Sequence, residues 1–301
     1  MTLAGPEFFI VGAPKCGTTA MADYLGQHPE IGMCPRKETH VFATDLSERM
    51  AMRRGQKPMS RDRFLELFSG LQDERLRGEA SVWHLYSDTA AAEIAAFEPQ
   101  AKIIVMLRSP VEMLPSLHSQ FVFVGIEPEE DFEKALDLDS ERERSGPPPG
   151  FPPRSYRSAV HYGEQLRRYL DVFGRDRIHV IVYDEFRDDT LGTYREACRF
   201  LDVDPDFEPN LEIVNPNKRV RSRTFRRFVR RPPEWVRPTI HRLTTEPLRR
   251  RVARAMIRWN TSVGGRAPLA PRVRARLEGE AAREARELDD LLGLDVGAWV
   301  S

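Results

Sequence analysis

Cysteine is scarce in this chain: Cys16, Cys34 and Cys198 are the only three among 301 residues. The number is odd and no pair has zinc-finger spacing, so a disulfide framework and a structural zinc site are both unexpected. Long apolar runs are missing as well. No stretch approaches the roughly 20 apolar residues that span a bilayer. The opening residues, MTLAGPEFFIVG, lack a basic n-region and a long apolar core and do not read as a secretory leader. Net charge is absent: 46 Lys and Arg balance 46 Asp and Glu, which argues against a dedicated nucleic-acid binder. These shortages predict a reduced, soluble, cytoplasmic protein without a membrane span.

Other features are abundant. Proline occurs 23 times, often beside arginine, and predicts long ordered loops. Charge is balanced overall but not locally. Between Lys218 and Arg258, fifteen Lys or Arg accompany two acids, Glu234 and Glu246. Such a stretch must face an anion or water.

Strand-like and helix-like segments alternate, which predicts an α/β fold with a central parallel sheet flanked by helices. Phe8 to Val11, KIIVML (Lys102 to Leu107) and IHVIVY (Ile178 to Tyr183) read as buried strands. Helices are expected over 18–27, 87–97, 111–121, 131–144, 159–173, 190–201 and around 272–292. Pro115 requires the third of these to start late or bend. No strand is evident after Asp202. The weak breaks at 145–155 and 203–224 read as loops, so a single domain spanning 1–301 is expected, with a basic helical region, 218–301, packed on it.

FFIVGAPKCGTT is a strand, a turn with Gly12 and Gly17, and a helix opening on Thr18 and Thr19. The first N–H groups of a helix have no intrahelical partner, and its dipole adds positive potential there, so this turn suits a phosphate. Lys15 adds a cation. The turn resembles a Walker A motif, but that pattern needs Lys directly after the second Gly. Thr18 holds that place, which weighs against a small-molecule P-loop kinase while leaving it as the alternative.

GAPKCGTTAMADYLGQHPEI resembles the 5′-phosphosulfate loop of sulfotransferases that use 3′-phosphoadenosine 5′-phosphosulfate (PAPS). RKETHVF (Arg36 to Phe42) is similar to the KE-x-H-F-F segment of their heparan-type and bacterial members. GEASVWHLY (Gly78 to Tyr86) resembles GEASPxYL. KIIVMLRSPVEMLPSLHSQF resembles the 3′-phosphate segment, and LDDLLGLDVGAWV the leucine-rich end with tryptophan. The five blocks keep the family's order from Phe8 to Val300.

The resemblance implies that Lys15, Cys16, Gly17, Thr18 and Thr19 form the cofactor loop. Sulfuryl transfer, by analogy with phosphoryl transfer, builds charge on the bridging oxygen, where Lys15 is the natural cation. Arg108 and Ser116 match the family's 3′-phosphate ligands; Arg108 also reads as an ion-pair partner of Glu112. Glu38 matches the family's general base. His40 is its competitor, with an ordinary pKa already suited to the task, and otherwise reads as a packed residue. Lys37 is a weaker candidate to hold Glu38 or the sulfate. Ala80 and Ser81 replace a Lys-Thr pair found in many members, so a second lysine is absent there. Trp83 and Tyr86 suit an acceptor pocket or plain core, His28 a helix stop, and His118 packing.

One or two of Lys218, Arg219, Arg221 and Arg223, in a late basic loop, are the tail's candidates to reach the product 3′-phosphoadenosine 5′-phosphate (PAP), with a solvated basic helix as the alternative. PAPS is the expected cofactor, with no metal. The acceptor is a small molecule or glycan, framed by residues 43–63 and 145–156. An acidic carrier partner or a homodimer also fits the basic tail, and a binding protein with a dead phosphate loop is a further rival.

Overall fold

The structure, a computed structural model, describes residues 4–53, 57–71, 74–148, 150–211, 218–220, 261–263 and 268–299. The chain forms two compact units, Met1–Val214 with Leu269–Ser301, and Asn215–Pro268. The first unit is built on β1 (Phe8–Gly12), β2 (Ile31–Met33), β3 (Leu76–Ala80), β4 (Lys102–Leu107) and β5 (Ile178–Val182). All pairings are parallel and the order is β2-β3-β1-β4-β5. Phe8, Phe9, Ile10 and Val11 are each 0% exposed, as a strand covered on both faces requires. Gly78 on β3 is needed beside them: a Cβ there would sit 2.2 Å from the Phe8 ring.

The strand order creates a switch point. From β1 the chain goes to one side for β2 and β3, then to the other for β4 and β5. Loops leaving the C-terminal ends of neighbouring strands therefore open on one crevice, the usual ligand position of an open α/β sheet.

The helices of this unit are α1 (Thr18–Leu25), α2 (Thr44–Arg53), α3 (Arg61–Glu66), α4 (Ala90–Phe97), α5 (Pro110–Val124), α6 (Phe132–Asp137), α7 (Asp139–Ser145), α8 (Tyr162–Phe173), α9 (Tyr183–Asp188), α10 (Thr190–Phe200) and α11 (Pro271–Leu292). Helix α11 packs on α5 and α8. Its buried Glu284 accepts the Gly163 N–H at 3.1 Å.

Several boundaries differ from the sequence reading. Helix α5 does not start late; it begins at Pro110 and runs through Pro115 to a left-handed Gly125. Proline suits the first turn, and Pro115 costs the helix one hydrogen bond without ending it. The segment 131–144 is two helices, α6 and α7, meeting at Leu138. Helix α4 starts later than expected because the Ser87 hydroxyl accepts the N–H groups of Thr89 and Ala90. Strands β2 and β3 were not expected, being short and polar, with Gly32, Arg77, Gly78 and Glu79 in place of an apolar run.

Strands do occur after Asp202. In the second unit β6 (Lys218–Val220) pairs antiparallel with β7 (Thr261–Val263), Lys218 opposite Val263 and Arg219 opposite Ser262. Residues 221–260, which hold most of the basic stretch, lie outside the described residues.

Candidate active site

The phosphate loop leaves β1, and Ala13 N–H bonds the Met106 carbonyl of β4 at 2.6 Å. Gly17 caps α1 with φ 88°, a left-handed conformation that favours glycine. A Cβ there would also meet the Phe186 ring at 3.0 Å. No acid lies in the first turn of α1, so that turn adds no negative charge where an anion would sit. Lys15 and Thr19 are partly exposed and Thr18 is buried. Cys16 is fully buried; its thiol bonds the Pro14 carbonyl, and burial pushes its pKa up to about 12. What Cys16 offers a phosphate is therefore its backbone N–H and not its side chain.

Arg108 leaves the end of β4 and joins the loop directly. Its Nη1 donates to the Lys15 carbonyl at 3.3 Å. The guanidinium lies 4.2 Å above the Tyr183 ring and pairs with Glu112, the ion-pair reading of Arg108. The Tyr162 hydroxyl holds the Arg108 carbonyl at 3.1 Å, and Trp299 packs 6.0 Å from the Tyr162 ring. The terminal tryptophan thus braces the 3′-phosphate candidate through Tyr162. Ser116 lies on α5, two helical turns from Arg108, and is 2% exposed, which leaves it little surface to give a phosphate. The side chains of Lys218 and Arg219 lie outside the described residues.

Glu38 and His40 follow β2 and are held by β3. Glu38 N–H bonds the Ala80 carbonyl at 3.0 Å, and the Val82 N–H donates to Glu38 Oε2 at 3.1 Å. His40 N–H donates to Ser81 Oγ at 3.1 Å. His40 Nε2 lies 3.5 Å from Glu38 Oε2, longer than an ordinary hydrogen bond. Non-glycine residues with φ > 0 are uncommon and gather at functional sites. Among the described residues they are Lys15 (67°), Glu38 (56°), His40 (52°) and Asp202 (59°). Three of these four are the residues read from sequence as catalytic.

Beneath this turn is a group that sequence reading passed over. Glu79 on β3 is 0% exposed, and its Oε1 accepts the hydroxyls of Ser81 at 2.6 Å and Thr39 at 2.8 Å. Burial raises its pKa to about 7, against the hydroxyl bonds that lower it. His84 Nδ1 faces its other oxygen at 3.6 Å, and burial holds His84 well below the ordinary histidine range. Glu79 sits inside the quoted GEAS block, but nothing in sequence marks a buried acid. Lys37 is better placed than expected: its Nζ donates to the Thr18 carbonyl at 3.5 Å, at the start of α1. Burial lowers its pKa.

A cavity of about 360 Å³ opens beside Glu38, Thr39 and His40. Its other walls are Arg36, Ser47, Met50, Ala51 and residues 57–59 with Arg63. The segment 43–63 therefore frames this cavity. The proline-rich loop instead contributes Arg154, with Tyr86, to a second cavity of about 260 Å³. Trp83 is core, stacked on Phe121. His118 packs against Phe132 and Tyr156, and His28 bonds the Asp204 carbonyl at 3.0 Å.

Comparison with known proteins finds similar sequences and a similar solved structure. The sequence profile of the sulfotransferase domain matches residues 5–222. A sulfotransferase crystal structure from Alicyclobacillus acidocaldarius is 29% identical, with a TM-score of 0.73, covering 99% of this chain and 100% of that one. Carbohydrate sulfotransferase 15 of Mus musculus is 26% identical over 251 residues, 66% of this chain. The bifunctional heparan sulfate N-deacetylase/N-sulfotransferase 1 of Caenorhabditis briggsae is 22% identical over 218 residues, 71% of this chain. The match spans 44% of the mouse protein and 24% of the nematode one.

Proposed function

The chain belongs to the sulfotransferase domain family, and from that premise we propose that it moves the sulfuryl group of PAPS to an acceptor hydroxyl, with Glu38 as base. One observation carries the assignment of residues. Lys15, Glu38 and His40 hold left-handed backbone conformations on loops after β1 and β2, on the side of the sheet where open α/β sheets usually bind ligands.

The residues present fit the donor. The α1 N-terminus offers unpaired N–H groups, and the tight approach at Gly17 lets the backbone wrap an oxyanion. Arg108 is the fork for a second phosphate. PAPS, when bound, supplies the transferable sulfuryl group and leaves as PAP. Lys15 and Lys37 place positive charge beside the start of α1, where leaving-group charge builds. Glu38 accepts the hydroxyl proton, held in place by the Val82 N–H. The acceptor is a carbohydrate in this reading, supported by the names of the curated relatives. The three cysteines are free and buried, which suits a reduced compartment such as the cytoplasm. The family match sets the kinase aside.

The test is a thermal shift followed by turnover. PAP at a hundredfold excess over its Kd stabilises the fold by about 2.7 kcal/mol, and Mg-ATP by much less. PAPS then adds sulfate to an acceptor, read by mass. Stabilisation by Mg-ATP alone refutes the reading.

A further inference from the structure

We infer that the acceptor is anionic: the cavity beside Glu38 takes a hydroxyl compound that carries a carboxylate or sulfate group near the reacting oxygen. The inference rests on the sulfotransferase reading and narrows it.

Among the described residues, three cations line this cavity, Arg36, Lys57 and Arg63, and one acid, Glu38, the base itself. They come from three places: the turn after β2, the segment before α3, and α3. They are not one charged run. Neighbouring arginines have acidic partners; Arg61 pairs with Glu93, Arg75 with Glu30, and Arg77 with Glu7. Arg36, Lys57 and Arg63 have no ion-pair partner among the described residues. With Glu38 ionised, the described residues of these walls carry an excess of two positives.

The donor's own phosphates do not account for them. Lys15, Gly17, Thr18, Thr19 and Arg108 form the phosphate site, and none of these lines the cavity. Its volume of about 360 Å³ is that of a ligand pocket. Met50, Ala51, Pro58 and Met59 supply an apolar wall for a ring. All three cations are exposed, so a neutral ring seated there leaves them without a counter-charge, whereas an anionic ring supplies one. Charges at a rim also steer an oppositely charged ligand, with an effect that falls with salt.

The test uses matched acceptor pairs. One pair is a uronate-containing oligosaccharide and its carboxyl-reduced neutral form. The other is a hydroxybenzoate and the corresponding hydroxybenzyl alcohol. Each is offered with PAPS, and kcat/KM is measured at low and high salt. The anionic member of at least one pair is expected to be roughly tenfold better, the worth of two or three exposed charge pairs. The pair that shows the difference identifies glycan or phenol as the source of the carboxylate. The advantage should shrink with salt and approach parity in an Arg36→Gln, Lys57→Gln, Arg63→Gln variant that PAP still stabilises. No preference in either pair overturns the proposal. So does a preference that is insensitive to salt or survives the triple substitution. Failure of PAP to stabilise the wild-type protein is a separate outcome; it overturns the sulfotransferase reading beneath the proposal.

Discussion

The Thr39 hydroxyl donates to Glu79 Oε1 at 2.8 Å, so a fully buried carboxyl group grips the residue between Glu38 and His40. Ser81 donates to the same oxygen and in turn accepts the His40 N–H. Strand β3 thereby fixes a turn whose two outer residues have positive φ. Strain of that kind persists only where surrounding bonds over-determine it.

Glu38 and His40 are separated by substitution. Glu38→Gln keeps shape but cannot take a proton, and turnover should fall by roughly 10² to 10⁴ with PAP affinity near wild type. His40→Asn should lose less. Because the two groups face each other at 3.5 Å, the two substitutions are read together. Loss of transfer in His40→Asn, with Glu38→Gln still active, would reverse the assignment.

Glu79 predicts a pH dependence of stability. Its folded pKa is raised from 4.5 to about 7 by burial, so the folded state holds a proton that the unfolded state has released across that window. Stability therefore falls as pH rises from about 4.5 to 7, by up to roughly 3 kcal/mol from this group. Glu284, also buried and raised to about 7, acts in the same direction. Denaturant titrations between pH 4.5 and 8 should show a shallower slope in Glu79→Gln, which keeps an acceptor for Thr39 and Ser81. An unchanged slope would show that Glu79 does not titrate in this window.

Arg108→Ala should weaken PAP by about 2–4 kcal/mol, since it removes a charged fork and leaves its anionic partner unmet. Calorimetric titration with PAP reads this directly. Unchanged affinity would leave Arg108 as the Glu112 ion-pair partner alone.

Gly17→Ala tests the phosphate loop. The left-handed φ of 88° costs a non-glycine residue about 1–2 kcal/mol, and the new Cβ presses on Phe186 at 3.0 Å. Both stability and PAP affinity should drop. A variant with wild-type stability and affinity would mean that the loop accepts a side chain against Phe186 without moving.

The continuous apolar strands β1, β4 and β5 were legible because burial on both faces writes itself into sequence as an unbroken apolar run. Strands β2 and β3 were not, since three and five residues containing glycine and charge carry no period. Arg108 was legible from its place after KIIVML. Ser116 was legible as a motif position but not as a buried side chain.

Sequence by itself determined the chemistry available here: Lys15 in a glycine turn, Glu38 and His40 two residues apart, and Arg108 at a strand end. Those are local facts, fixed by spacing along one chain. Tertiary structure decided what each group meets. Thr39 reaches Glu79 forty residues away, the Trp299 ring braces Tyr162 beneath Arg108, and Arg36, Lys57 and Arg63 meet around one cavity. Contacts between distant segments depend on strand order and register, which side-chain periodicity does not encode. A buried carboxyl becomes unusual only when the strands beside it close off water.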